Sequence, residues 1–303
     1  SASGTSLTPS LFYSRAIGLN AGREIPIIGG ARVTGKAGKF GIGLLNIETG
    51  KESVSATPTT NFSVVRLKRD ILRRSSVGMM VTNRSQSANV PNASNLAYGV
   101  DGAFSFFQNV NMGGFWSQSN TSTLKTDNQS YQTRAEYAAD RYGAQLQFLK
   151  VGANYKPEVG FVSRLNFDRT YGSLRFSPRP RRRFRGIRQF IYQTTLEYIQ
   201  NGSGSLETRN RGGHFAVERQ NSDLFTVDVN NEYELLVKPF AIAPGVTIPK
   251  GSYQFTSGTV AYVMGQQRRL SGTLSMQRGQ FYDGTITAWG YTSGRYAILK
   301  RWS

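Results

Sequence analysis

Apolar and polar residues alternate along long stretches of this chain. From Tyr131 to Asp140, Tyr131, Thr133, Ala135, Tyr137 and Ala139 fall on one side of an extended backbone. Gln132, Arg134, Glu136 and Asp140 fall on the other. Successive side chains of a strand point to opposite faces, so period two predicts a strand with one apolar and one polar face. The pattern returns at Phe190, Tyr192, Thr194, Leu196 and Tyr198, opposed by Gln189, Gln193, Thr195 and Glu197. It returns again at Leu270, Gly272, Leu274 and Met276, opposed by Ser271, Thr273, Ser275 and Gln277. These stretches run to roughly ten to thirteen residues, whereas strands of soluble sheets have about 5–6 and a tilted bilayer-spanning strand needs about 9–11. Length together with alternation predicts an all-β fold, an antiparallel transmembrane β-barrel of roughly 14–16 strands.

Turn residues divide the pattern into hairpins. Leu11 to Gly18 reads as a short first strand. Ala31–Ala37 and Phe40–Ile47 flank Gly38-Lys39, and Asn61–Leu72 and Val77–Asn83 flank residues 73–76. After a polar loop from Ser85 to Asn95 come Leu96–Phe107 with Met112–Ser119, then Gln129–Asp140 with Tyr142–Val151. Phe161–Phe176 and Arg188–Gln200 flank an arginine-rich segment, followed by Leu206–Glu218 and Leu224–Val237. Pro239 to Gly251 interrupts the alternation and reads as an ordered loop. Tyr253–Met264, Arg268–Gln277 and Phe281–Tyr291 close the series, with a further strand possible in Arg295 to Ser303. Short turns and longer loops alternate, as expected of outer-membrane barrels. No domain boundary is evident, so residues 1–303 read as one barrel domain.

Composition fits this picture. Apolar residues are only 38% of the chain, low for a packed soluble core and natural for a barrel with a wet interior. The absence of cysteine removes disulfides, thiolate metal sites and cysteine nucleophiles together. No run of about 18 apolar residues occurs, so no transmembrane helix is expected, and a barrel leaves a much weaker signal per segment. With 37 Lys and Arg against 18 Asp and Glu, the formal charge is +19. That excess suits anionic lipid head groups better than nucleic acid, because the aromatics lie within strands instead of offering exposed stacking platforms.

The candidate chemistry is sparse. His214 is the single histidine and sits within a strand, which argues against zinc. Arg66, Lys68 and Asp70 share one strand face, as do Arg134 and Glu136; Asp228 and Glu232 share another with Asn230 and Glu234. With Glu197 and Glu218 these are the candidate lumen-lining residues, because Lys or Arg facing lipid at mid-bilayer costs roughly 2–4 kcal/mol. They could select solutes or simply form an internal salt-bridge network. Arg69 and Asp168 fall on the wrong face unless they lie near the membrane interface. The cluster Arg179, Arg181, Arg182, Arg183 and Arg185 reads as a loop that contacts anionic lipid or lipopolysaccharide, or as a solvated basic turn. No catalytic, cofactor-binding or metal-binding constellation stands out.

Five stretches stand out: Leu11-Phe12-Tyr13-Ser14-Arg15-Ala16-Ile17-Gly18, Ile25-Pro26-Ile27-Ile28-Gly29-Gly30-Ala31-Arg32, Gly43-Leu44-Leu45-Asn46, Phe240-Ala241-Ile242-Ala243-Pro244-Gly245-Val246 and Ile248-Pro249-Lys250-Gly251-Ser252-Tyr253. Through them the chain resembles a bacterial outer-membrane β-barrel family of unknown function. In that family the barrel usually follows a periplasmic domain similar to family-nine carbohydrate-binding modules. The resemblance implies a Gram-negative outer-membrane location, a role as pore or membrane anchor, and a carbohydrate-binding domain as partner. That domain is missing here, and the end at Lys300-Arg301-Trp302-Ser303 lacks the family's outward terminal aromatic, which points to a piece of a longer protein.

Alternation alone does not say which face is inside. A soluble β-sheet glycan-binding protein would pack its apolar faces together and wet the polar ones. A carboxylate-based glycoside hydrolase would need two acids about 5–10 Å apart beside an open cleft. Oligomeric state and transported solute are not encoded in any recognisable way.

Overall fold

The computed structural model describes residues 7–20, 22–180, 184, 186–282 and 284–296. After a 3-10 turn at Ser14–Ala16, the strands are β1 (Leu19–Asn20), β2 (Arg23–Glu24), β3 (Ile27–Ala37), β4 (Phe40–Thr49), β5 (Thr60–Leu72), β6 (Ser75–Arg84), β7 (Asn95–Phe106) and β8 (Val110–Asn120). Next come β9 (Gln129–Ala138), β10 (Tyr142–Val151), β11 (Phe167–Phe176), β12 (Ile187–Asn201), β13 (Leu206–Arg219) and β14 (Leu224–Leu236). The last are β15 (Phe240–Ala243), β16 (Val246–Ile248), β17 (Gly251–Val263), β18 (Leu270–Phe281) and β19 (Gly284–Tyr296). The fold is all-β. Fifteen of these strands form one antiparallel sheet in chain order from β3 to β19, with only the small β15–β16 hairpin set aside from the succession. Its edge strands are β3 and β19.

Three sequence expectations need correction. Leu11 to Gly18 is not a strand but contains the 3-10 turn: the Ala16 and Ile17 N–H groups bond back to Tyr13 and Ser14, and only the Tyr13 N–H reaches across, to the Val159 carbonyl. The strand expected from Phe161 begins only at Phe167; Phe161 itself bridges to Ser10. The expected loop from Pro239 to Gly251 folds back into the hairpin β15–β16, turning at Gly245 with φ of 79°. Residues 297–303 lie outside the described residues.

The chain forms two compact units, Ser1–Ala135 with Gln147–Arg169 and Glu136–Leu146 with Thr170–Ser303. In the first unit, cross-strand register assembles apolar rows on one face. One row is Gly35, Ile42, Leu67, Met79, Val100 and Trp116; the next is Val33, Leu44, Val65, Val81, Tyr98 and Gln118. A polar row, Ala31, Asn46, Ser63, Asn83, Leu96 and Asn120, borders them toward the long loops. On the other border Arg69 lies over the Phe40 ring at 5.0 Å. Arg69 is thus on the apolar face, at its margin.

The opposite face carries Arg32, Leu45, Val64, Thr82, Ala97 and Ser119 in one row, and Thr34, Gly43, Arg66, Met80, Gly99 and Ser117 in another. Residues 8–18 and 152–161 fold over this face. The small core there joins Phe62, Val64 and Val159 to Phe12, Ile17, Leu45 and Met80.

The second unit repeats the segregation. Tyr192, Phe215, Val227, Val260, Met276 and Trp289 form one apolar row, and Phe190, Val217, Phe225, Tyr262, Leu274 and Tyr291 the next. Gln193, His214, Asp228, Thr259, Gln277 and Ala288 lie in register on the reverse face.

Candidate functional site: two faces of opposite character

Strand parity fixes where each candidate side chain stands. In the first unit the apolar side is the uncovered one. Val100 is 54% exposed, while Thr82 and Ser117 on the polar face are 0% and 1% exposed. Apolar side chains are thus exposed on one face of the sheet, while polar ones are buried on the other.

The covering segments are fastened by polar contacts. Tyr155 is buried and shares a 2.7 Å hydrogen bond with Ser117 Oγ; burial pushes its phenol up to about 12, so it stays protonated. The Lys156 N–H donates to Ser119 Oγ at 2.8 Å. Glu158 accepts from Ser87 Oγ at 2.5 Å, the Ala88 N–H at 2.6 Å and Asn89 Nδ2 at 2.8 Å, with Arg84 at 3.8 Å. Its own N–H donates to Asn95 Oδ1, and Asn95 Nδ2 donates to Thr121 and to the Lys156 carbonyl. Ser10 and Phe161 exchange backbone bonds of 2.9 Å, and the Tyr13 N–H donates to the Val159 carbonyl.

The Ser10–Phe161 join leaves no space beside Gly160. A β-carbon there would stand 2.0 Å from the Ser10 carbonyl oxygen and 2.9 Å from the Leu11 carbonyl carbon. Gly160→Ala should therefore cost about 1–3 kcal/mol as an overpacking change. Limited proteolysis should cut residues 8–18 several-fold faster in the variant than in the wild type.

Arg66 donates to Asp101 on the polar face through both terminal guanidinium nitrogens, from Nη2 at 2.9 Å. Together with Leu11, Phe12, Met80 and Ser117 the pair lines a cavity of about 370 Å³. Lys68 follows by parity, opposite Gly41 and Gly78, and Asp70 stands opposite Ser76 at the turn end; both are exposed. Arg134 and Glu136 have the parity of fully buried Ser130.

In the second unit the Asp228 carboxylate accepts from His214 Nδ1 at 2.6 Å. Asn210 Nδ2 donates to Glu197 at 3.1 Å, and Arg188 donates to Glu218 at 2.9 Å. Glu232 stands opposite Asn210 and Phe255, and neighbouring Glu234 accepts from the Tyr282 hydroxyl at 2.5 Å. The acids are thus spread along the strands, each beside a polar neighbour. Among the described residues no three His, Cys, Asp or Glu gather as a metal site would require. Of the arginine cluster, Arg179 is half-exposed and bonded to Asp140 at 2.6 Å; Arg181, Arg182, Arg183 and Arg185 lie outside the described residues.

Two features had no signal in the sequence pattern. One is an aromatic row on the apolar face of the second unit, with ring centroids 5.3 Å apart for Tyr142–Phe176, 6.2 Å for Phe176–Tyr192 and 5.0 Å for Tyr192–Phe215. Arg141 caps it, 5.5 Å from the Tyr142 ring and 5.4 Å from that of Phe176. The other is Asp223, 0% exposed and gripped by Arg268, Tyr262, Asn221 and the Gly265 N–H.

Fold and faces together define an all-β protein built on a large antiparallel sheet. No protein-family model matches the chain, and no curated protein is significantly similar to it.

Proposed function

We propose that this chain is an outer-membrane β-barrel protein of a Gram-negative bacterium, with its apolar face against lipid and its polar face turned to the interior. The observation that carries the reading is the reversed burial: exposed apolar rows on one face, buried Thr, Ser and Asn on the other. Strand length supports it. Strands of the sheet run from 10 to 15 residues, enough to span hydrocarbon at a tilt. Bordering aromatics and arginines, such as Phe40 with Arg69 and Tyr142 with Arg141, suit the two-sided chemistry of a membrane interface. In hydrocarbon every backbone N–H and C=O needs a partner, so the reading requires the edges of β3 and β19 to be paired in the membrane.

Within this reading, the polar face of the first unit favours an anchor over an open pore, because residues 8–18 and 152–161 cover it. The anchor would hold a periplasmic carbohydrate-recognising module, an idea that rests on the family resemblance and not on any residue described above. Membrane partition followed by planar-bilayer recording tests both parts. The expected result is extraction by detergent only, with no stable conductance steps from the purified chain. Large steady steps would replace the anchor by a pore. Full solubility without detergent would replace the membrane reading by a soluble glycan-binding sheet.

A further inference from the structure

The apolar face of the second unit is not uniformly filled. A groove of about 690 Å³ runs beside the aromatic row, walled by Leu174, Phe176, Tyr192, Phe215, Val227 and Val229. Its floor is open because Gly213 contributes no side chain. A β-carbon there would meet nothing closer than the Val229 carbonyl oxygen at 4.0 Å. The aromatic row leads from this groove to Arg141, whose guanidinium lies over the Tyr142 and Phe176 rings. Among the described residues Arg141 is held by those rings and by no carboxylate, so its five N–H donors remain available to an anion. The nearby Asp140 is engaged by Arg179.

We propose that this groove and Arg141 form a binding site for one glycerophospholipid: an acyl chain lies over Gly213 and the phosphodiester is held by the guanidinium. Charge complementarity selects the head group, since a planar guanidinium matches phosphate oxygens in pairs. Apolar walls select the chain, which loses water-exposed surface as it enters. The site rests on the membrane reading above and deepens it by naming which lipid atoms meet which residues.

The test begins with the full chain and asks whether it partitions into membranes. Protein extracted in mild detergent is then titrated with dioleoyl phosphatidylglycerol, and retained lipid is counted by native mass spectrometry. Arg141→Gln removes the phosphate partner and Gly213→Leu fills the groove from its floor. Each should weaken binding by about tenfold, the usual worth of one charge-assisted contact or one filled apolar slot. Dioleoylglycerol, which lacks the phosphate, should bind the wild type about tenfold more weakly for the same reason. Arg269→Gln, a basic change in the loop after β17 and outside the groove, should leave binding unchanged. Wild-type lipid retention by both site variants, or an equal loss from Arg269→Gln, would overturn the site while leaving the membrane reading intact. Aqueous partition of the chain would overturn both.

Discussion

Val100→Lys should destabilise the protein in a bilayer by roughly 2–4 kcal/mol. Val100 lies in the apolar row between Met79 and Trp116 and is 54% exposed. On a water-facing surface such a substitution would change stability by no more than about 0.5 kcal/mol. On a lipid-facing strand near mid-bilayer an ammonium costs roughly 2–4 kcal/mol. The sign of the argument therefore depends on what touches Val100, and not on how it packs. Equilibrium urea unfolding of vesicle-folded protein should show the full loss. Lys68→Gln, on the opposite face of β5, should change little in the same assay. Equal and small effects from both would remove the distinction between the faces.

Asp223→Ala should also be damaging, for a different reason. The carboxylate is wholly buried where the β13–β14 turn meets the segment after β17, and it accepts from Tyr262 at 2.6 Å, the Gly265 N–H at 2.9 Å and Arg268 Nε at 3.0 Å. Removing it leaves the Tyr262 hydroxyl and the Gly265 N–H without their acceptor and frees the half-exposed Arg268, a loss of about 1–3 kcal/mol. Burial alone would raise the Asp223 carboxyl, but hydrogen bonds from Tyr262, Gly265, Arg268 and Asn221 outweigh it and hold the group well below the usual carboxylate range. A depressed folded pKa contributes stability that is complete above the unfolded value, near about 3.9, and is lost as pH falls from there through the folded value. Wild type should therefore lose its advantage over Asp223→Asn progressively below about pH 4. A constant difference between the two from pH 7 to pH 3 would show that the charge is not what stabilises the turn.

Much of the strand order was legible because it is written locally. Period two over β9, β12 and β18, with Gly38-Lys39 and other turn residues between strands, is enough to place the hairpins. Parity also placed Arg66 and Asp228 with other polar side chains. Their partners were not legible: Asp101 lies on β7, two strands across the sheet from Arg66 on β5, and His214 meets Asp228 only because β13 and β14 pair as they do. Leu11 to Gly18 suggests a strand through its apolar residues Leu11, Phe12, Tyr13 and Ile17, yet Tyr13 bonds to Val159 far along the chain and Ala16 and Ile17 bond back within the segment. Glu158 and Asp223 look like ordinary loop acids until the loops close around them. Long-range closure of this kind leaves no periodic trace.

Water access to the apolar rows decides whether they face lipid. The chain lacks cysteine, so single cysteines report without background. Cysteines placed at Val65, Leu67, Met79 and Val100, and in the loop at Ser203, should be treated with a water-soluble maleimide in native membranes. Ser203 should label rapidly, and the four strand positions should be protected until the protein is moved into denaturant. Rapid labelling of Val65, Leu67, Met79 and Val100 from water in the folded protein would contradict contact with lipid.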